Sequence, residues 1–357
     1  MKKNFSWFKI ISYSMAIIGT TIGAGFVSGK EISNFMNVYG NFAYLSAITM
    51  GVVYVFTLNL FFNCADTDPY KDKKYLDYFI GFTQFISMSA MIAGLDSVLS
   101  NYFGSKILFY VFLVVSFVII LCGLKGLTNT NFVLIPFLLG FILFIGYYGI
   151  KTSKTLEIEV IKTSTFKVLT SLPIYIGLDL FGCYPICLLL GKNSNKKERL
   201  IVSIIVGITI VILIICYLVS VLNKGTDYAY FDLPILNYTI DHFDTLYLFA
   251  CGILTIGIVT TLLSNGFVLL ETTNKLYKKN GFVIFLGLFC LSYLISFIGF
   301  SAIVEYLYPL LGVVGLIIVI DLFIKNKKSK RVLNQLQTNL AYDKLNMKTN
   351  KGKSICT

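Results

Sequence analysis

The chain has 357 residues, 56% hydrophobic and only 13% charged, with a net charge of +12 and a mean hydropathy of +0.79. A soluble domain is typically about a quarter charged, so this chain has more nonpolar surface than one globular core hides, and a polytopic membrane protein is the class that fits. The cations sit between apolar segments and in one tail, which is a topology pattern and not a nucleic-acid footprint; continuous apolar runs of about 20 residues exclude a barrel of short alternating strands.

In chain order, "MKKNFSWFKIISYSMAIIG" starts like a signal peptide, with a basic head and an apolar run. It lacks a small-x-small cleavage site and flows into a longer helix, so it reads as a first span that stays attached. That span covers about 7–39 and is interrupted at Gly23–Ala24–Gly25 within "GTTIGAGFVSGKE". Further apolar runs cover about 42–63, 75–101, 107–123, 131–150, 166–191, 200–222, 245–272, 282–300 and 302–324. The sixth, "VLTSLPIYIGLDLFGCYPICLLLG", reads as interrupted between Gly177 and Gly182, with Pro173 before the gap and Pro185 after it. With the N-terminus inside, 23 Lys and Arg fall on the cytoplasmic side and 6 outside, with Lys30 within the first span. The bias places both termini in the cytoplasm of a bacterial cell membrane. The expected organisation is a transmembrane domain over 1–324 and a basic cytoplasmic tail over 325–357, close to anionic lipid.

Interruptions in the first and sixth of ten spans point to an inverted-repeat transporter. Five spans per half is an odd number, so the second half enters the membrane from the opposite side. The expected fold is therefore an all-α polytopic membrane protein of ten transmembrane helices, a five-plus-five inverted repeat with halves at about 5–150 and 166–324, and with helices 1 and 6 discontinuous. Unpaired backbone groups in hydrocarbon cost several kcal/mol each, of order, so they persist only where a cavity or ligand satisfies them. Half-helix N-termini favour an anionic group and C-termini offer carbonyls to a cation. Two facing breaks suit a zwitterion plus a cation, such as an amino acid with Na⁺ or H⁺. Glycine clusters also serve close helix packing, and for each cluster alone that alternative stays open.

"GTTIGAGFVSGKEI", "MIAGLDSVLSNYFG" on span 3 and "YPLLGVVGL" on span 10 resemble the YkvI-like bacterial membrane proteins. The first motif is also similar to the first-helix motif of the amino acid–polyamine–organocation superfamily, which shares the LeuT-type fold. The resemblance covers about 5–323. It implies that the backbone at Ile22, Gly23, Ala24 and Gly25 cradles a substrate carboxylate or polar head. Gly177, Asp179, Phe181 and Gly182 would form the opposite wall, with Phe181 as an aromatic lid. In sodium-coupled relatives span 8 supplies hydroxyls facing span 1 carbonyls; Thr260, Thr261 and Ser264 are placed for that role, or else bond their own helix.

Ionisable residues inside spans default to function. Glu31 lies six residues beyond Gly25, about 9 Å along one helix at 1.5 Å per residue. That spacing puts it in the outer vestibule, as a gate, an ion-pair partner or part of a wet funnel. Asp179 sits in the second break, where it binds a substrate amine, carries a proton or accepts from the backbone of the gap. Asp96 reads as a relay or a partner of Lys30. Cys183 and Cys187 are four apart without a histidine and read as buried thiols, so no metal or other cofactor is expected. With one histidine, His242, and no catalytic motif in the spans, an enzyme is not expected. The reading is a cation-coupled permease whose partners are lipid and a small amino acid-like solute. The alternative is a permease-fold receptor or sensor that binds a solute without transporting it, with the basic tail as its output.

Overall fold

The computed structural model describes residues 5–67, 74–152, 157–158, 164–222, 228 and 230–325. All but the first residue of the expected tail lies outside them. The described elements are helical throughout, without a strand among the described residues. The first apolar segment is divided into three pieces, α1 (Trp7–Thr21), α2 (Ala24–Ser28) and α3 (Lys30–Met36). There follow α4 (Ala43–Thr67), α5 (Lys74–Asp96), α6 (Lys106–Leu121), α7 (Gly123–Thr152), α8 (Thr165–Gly191) and α9 (Lys196–Tyr217). The short α10 (Pro234–His242) precedes α11 (Tyr247–Tyr277), α12 (Gly281–Ser296) and a last helix, Phe300–Lys325. Among the described residues, seven helical stretches are long and apolar enough to cross a membrane. α11 and α12 share one of the seven, α6 is a shorter apolar helix, and α1 stops after 15 residues at the break.

The packing explains the hydropathy. α6 buries only a stripe, Phe109, Leu113, Ser116 and Ile120, and leaves Val111, Val114 and Val118 exposed. A helix apolar on its outward face needs hydrocarbon there. α11 is the opposite case, buried from Ala250 to Thr273 on nearly every face, and it is the central post. α5 runs along α11, with α12 against α5 and α6 against α11; α4 runs along both α9 and α8. α1 lies among α7, α9 and α8, while few contacts join α8 to α5 or α11. The molecule is thus two helix groups joined by the broken first segment and by α7, which packs on both α11 and α9.

Each group is tied at the same end. Asn195 and Glu198 form a reciprocal capping box on α9, and Glu198 also accepts the Ser6 N–H at 2.9 Å, fixing the entry to α1. Arg199 is buried and donates to both Asp66 oxygens, at 2.5 and 2.8 Å, and to the Gly191 carbonyl at 2.7 Å. That fork joins the ends of α4 and α8 to the start of α9. In the other group Lys275 of α11 reaches Asp77 of α5 at 2.8 Å.

The expected discontinuity in span 6 is corrected here. α8 is an unbroken helix over 27 residues, with Pro173 and Pro185 inside it. Gly177 serves packing: an added Cβ would lie 2.3 Å from the Gly312 carbonyl oxygen and 2.6 Å from the Leu316 nitrogen. Gly315 in turn approaches the Gly177 carbonyl, where a Cβ would lie at 2.3 Å. Small residues let the two backbones touch, and this contact uses the glycine that looked like a break. Gly182 is different, with nothing within 4 Å of an added Cβ. Gly177→Ala is therefore expected to lower the thermal unfolding midpoint markedly, and Gly182→Ala to leave it within the range of ordinary surface substitutions, about 0.5 kcal/mol. Thermal unfolding of the purified protein checks the pair.

Candidate functional site

α1 ends because the chain turns at Ile22 (φ −85, ψ 70) and runs extended through Gly23 (φ −79, ψ −176). Its freed groups find specific partners. The Thr261 hydroxyl, from α11, sits 2.8 Å from the Gly19 carbonyl and 3.0 Å from that of Ile22. The Ala24 N–H points at the Met91 sulfur of α5 at 3.3 Å. Thr20 donates toward the Ala16 carbonyl at 2.8 Å and Ser264 at 3.1 Å.

A second turn follows at once. Gly29 has φ +85, a left-handed conformation that glycine adopts without strain. Tyr217 of α9 fills the space beside it, donating to the Ser28 carbonyl at 2.8 Å; a Cβ on Gly29 would lie 1.2 Å from the Tyr217 oxygen. This turn corrects the expected position of Glu31. The helix does not continue from Gly25, so Glu31 does not lie a helix-length outward. It folds back until its Oε1 occupies the space beside Gly25, 2.0 Å from where a Cβ would be.

The result is a cavity between the two helix groups, about 50 Å³, room for a few water-sized groups. The broken segment contributes Thr20, Thr21, Gly23 and Glu31, and α8 contributes Leu178, Asp179, Phe181 and Gly182. α5 supplies Thr83, Gln84, Ser87 and Met91; α11 supplies Thr261 and Asn265; the last helix supplies Tyr308 and Leu311. Asp179 accepts from the Tyr54 hydroxyl of α4 at 3.0 Å, not from backbone of a gap, since α8 has none. Asn265 donates to Ser87 at 2.8 Å. Glu31 Oε2 and Gln84 Oε1 are buried without a hydrogen-bond partner among the described residues.

A second cavity of about 270 Å³ lies one helical turn along, lined by Ile80, Pro185 and Val268 together with Asp77, Glu271, Lys275 and Lys192. At the level between the two, Phe181 of α8 meets Phe79 of α5 with ring centroids 5.4 Å apart.

The structure brings together Gly23, Glu31, Asp179, Phe181, Gly182 and Thr261 around one cavity, with the Ile22 carbonyl on Thr261 and Ala24 on Met91. Gly25 shapes the site by making room for Glu31. Other expected residues fall elsewhere. Gly177 is in the helix contact already described. Thr260 turns its hydroxyl to the Gly257 carbonyl of its own helix, and Ser264 bonds Thr260 while receiving Thr20. Asp96 is bonded by Ser100 at 2.5 Å and does not line the cavity. Lys30 reaches the carbonyls of Tyr230 and Phe231, at 3.4 and 3.0 Å. Tyr54, Gln84, Ser87 and Asn265 lie in no motif quoted above, Met91 and Tyr308 open two that are quoted without being singled out, and only the packing of distant segments shows their part.

This arrangement of helices is the fold of a membrane transporter of known structure, Mhp1, a nucleobase-cation-symport-1 family transporter solved in a closed conformation with bromovinylhydantoin bound. The match has a TM-score of 0.50 at 12% identity, over 85% of this chain and 74% of that one. In sequence the chain is similar to the uncharacterized membrane protein YkvI of Bacillus subtilis (strain 168), 19% identical over 88% of this chain and 96% of the relative. It is also similar to the uncharacterized protein YyaD of the same organism, 22% identical over 89% of this chain and 97% of the relative. No protein-family model matches the chain.

The two turns make a local test available. Gly29 and Gly104 both have positive φ, but nothing lies within 4 Å of a Cβ at Gly104. Gly104→Ala is expected to cost about 1 kcal/mol from backbone strain alone, and Gly29→Ala distinctly more because Tyr217 must move as well. Unfolding midpoints of the two variants measure the difference.

Proposed function

We propose that the protein is a secondary active transporter of an amino acid or related small organic solute, coupled to Na⁺ or H⁺ and working by alternating access about the broken first segment and α8. The observation that carries this reading is the polar cavity at the break. On one side α8 shares few contacts with α5 and α11 across it, and a larger cavity lies beyond one pair of aromatic rings. Facing helices that are sparsely packed across a ligand site suit a rocking mechanism.

The packing also supports the five-plus-five reading. If the halves are related by a twofold axis, the second and seventh spans correspond, as do the third and eighth. These are α4 with α9 and α5 with α11, and both pairs pack extensively. The fourth span lies on the eighth as the ninth lies on the third, α6 on α11 and α12 on α5. The first segment packs on α7 as α8 packs on the last helix.

For the coupling ion, the carbonyls of Gly19 and Ile22 and the Thr261 hydroxyl form an oxygen cluster at the C-terminal end of α1, the end that favours a cation. Thr261 supports this assignment, while Thr260 and Ser264 turn their hydroxyls to carbonyls of their own helix.

The test is uptake into proteoliposomes. Accumulation of a labelled amino acid or related solute against its gradient, driven by an imposed Na⁺ or H⁺ gradient, is expected; binding without accumulation identifies the receptor alternative instead. Asp179→Asn is expected to reduce uptake far more than Asp77→Asn. Thr261→Val is expected to weaken the dependence on the coupling cation, and Thr260→Val to leave it unchanged. Equal effects within either pair remove the assignment it tests.

A further inference from the structure

Glu31 is a carboxylic acid at 3% exposure whose Oε2 has no hydrogen-bond partner among the described residues. A buried carboxylate in that state is costly unless something compensates it. The compensation does not come from the cavity wall. Its lining holds a second carboxylate, Asp179, and no Lys, Arg or His among the described residues. The cation adjacent in sequence, Lys30, extends to the carbonyls of Tyr230 and Phe231.

The balance of donors and acceptors points the same way. The Ala24 N–H is engaged by Met91, and the Asn265 amide by Ser87. Thr261 donates to carbonyls of the first segment. Among the carboxyl and carboxamide oxygens of the lining, Glu31 Oε2 and Gln84 Oε1 have no partner among the described residues, and the Asp179 carboxylate accepts from Tyr54. These come from three different elements, α3, α8 and α5, and line one small space.

We propose that the cavity binds the ammonium group of a small primary amine, held between Glu31 and Asp179 with Gln84 as a third acceptor. This inference rests on the solute-site reading above and specifies which part of the solute is read. An ammonium has three donors and no acceptor, and the oxygens offered to it belong to two carboxylates and one carboxamide. Asp179 already has the Tyr54 hydroxyl. Glu31 has no such support, so the bound amine offsets chiefly the burial of Glu31. A carboxylate in the same place meets two like charges and no cation. The solute is thus selected by its positive charge.

The probes are ethylammonium chloride and sodium propionate, applied at equal ionic strength to the purified full-length protein while its thermal unfolding is followed. A ligand that binds the folded state raises the midpoint. Ethylammonium is expected to raise it and propionate is not. Glu31→Gln is expected to weaken ethylammonium binding roughly tenfold or more, the loss of one charge-assisted contact. The same variant is expected to unfold at a higher midpoint without ligand, because a buried unpaired charge is gone. Asp179→Asn gives a second, independent loss of the amine response should Glu31→Gln fail to fold. Asp96→Asn, outside the cavity, keeps the response.

Stabilisation by propionate and not by ethylammonium overturns the proposal, as does the absence of a shift with ethylammonium. An ethylammonium response that survives in Glu31→Gln, with an unchanged unliganded midpoint, assigns Glu31 a permanent proton and also overturns it. Uptake of a carboxylate-bearing solute without an amine response leaves the transporter reading standing and removes only this inference.

Discussion

Backbone amides and carbonyls released from a helix inside hydrocarbon must be satisfied by something other than water, and the rest of this structure follows from how that is done at Ile22–Gly23. Four of the freed groups are met by side chains from other parts of the chain: Thr261 for the carbonyls of Gly19 and Ile22, Met91 for the Ala24 amide, Tyr217 for the Ser28 carbonyl. These partners come from α11, α5 and α9. The break therefore fixes three helices around itself, and the space they cannot fill is the cavity. The polar lining is a consequence of repairing the break as much as of recognising a ligand.

The same economy appears in the two helix groups. Polar ties are concentrated at one end, where Arg199 holds Asp66 and Gly191, and Lys275 holds Asp77. Within each group the helices are closely packed; between groups the contact runs through the broken segment and α7. The buried acids at the tied end, Asp77 and Glu198, have partners there, whereas Glu31 at the cavity has an oxygen with none among the described residues.

Much of this was legible from residue types. Runs of apolar residues marked every long helix, and the "IGAG" cluster marked the first break because three small residues in a hydrophobic run have few other uses. Thr261 was named, with Thr260 and Ser264, through the resemblance to sodium-coupled relatives, and of the three it alone meets carbonyls of the first segment. Two things were not legible. A glycine in a span signals either a break or a close approach, and nothing local distinguishes them; Gly177 looks like Gly23 but is explained by Gly312 and Gly315, more than 130 residues on. Helical spacing placed Glu31 outward along a continuous rod, whereas Gly29 at φ +85 turns the rod back. The signal was present as a further glycine just before "KE", but its meaning depends on Tyr217, which lies far along the chain. Gln84 is an ordinary span residue until the helices assemble, and Met91 and Tyr308, though within quoted motifs, gain a role only then.

The contact at Gly177 has a mechanical side. Where α8 meets the last helix, main chain lies against main chain, and no layer of flexible side chains separates them. Interiors packed to this density yield little under load. Sliding between the two helices would drive carbonyl against amide, so a displacement of one is handed to the other almost undiminished. α8 and the last helix behave as a single stiff beam. Asp179 and Tyr308, one on each member, reach the cavity from that beam and keep their spacing whichever way it tilts.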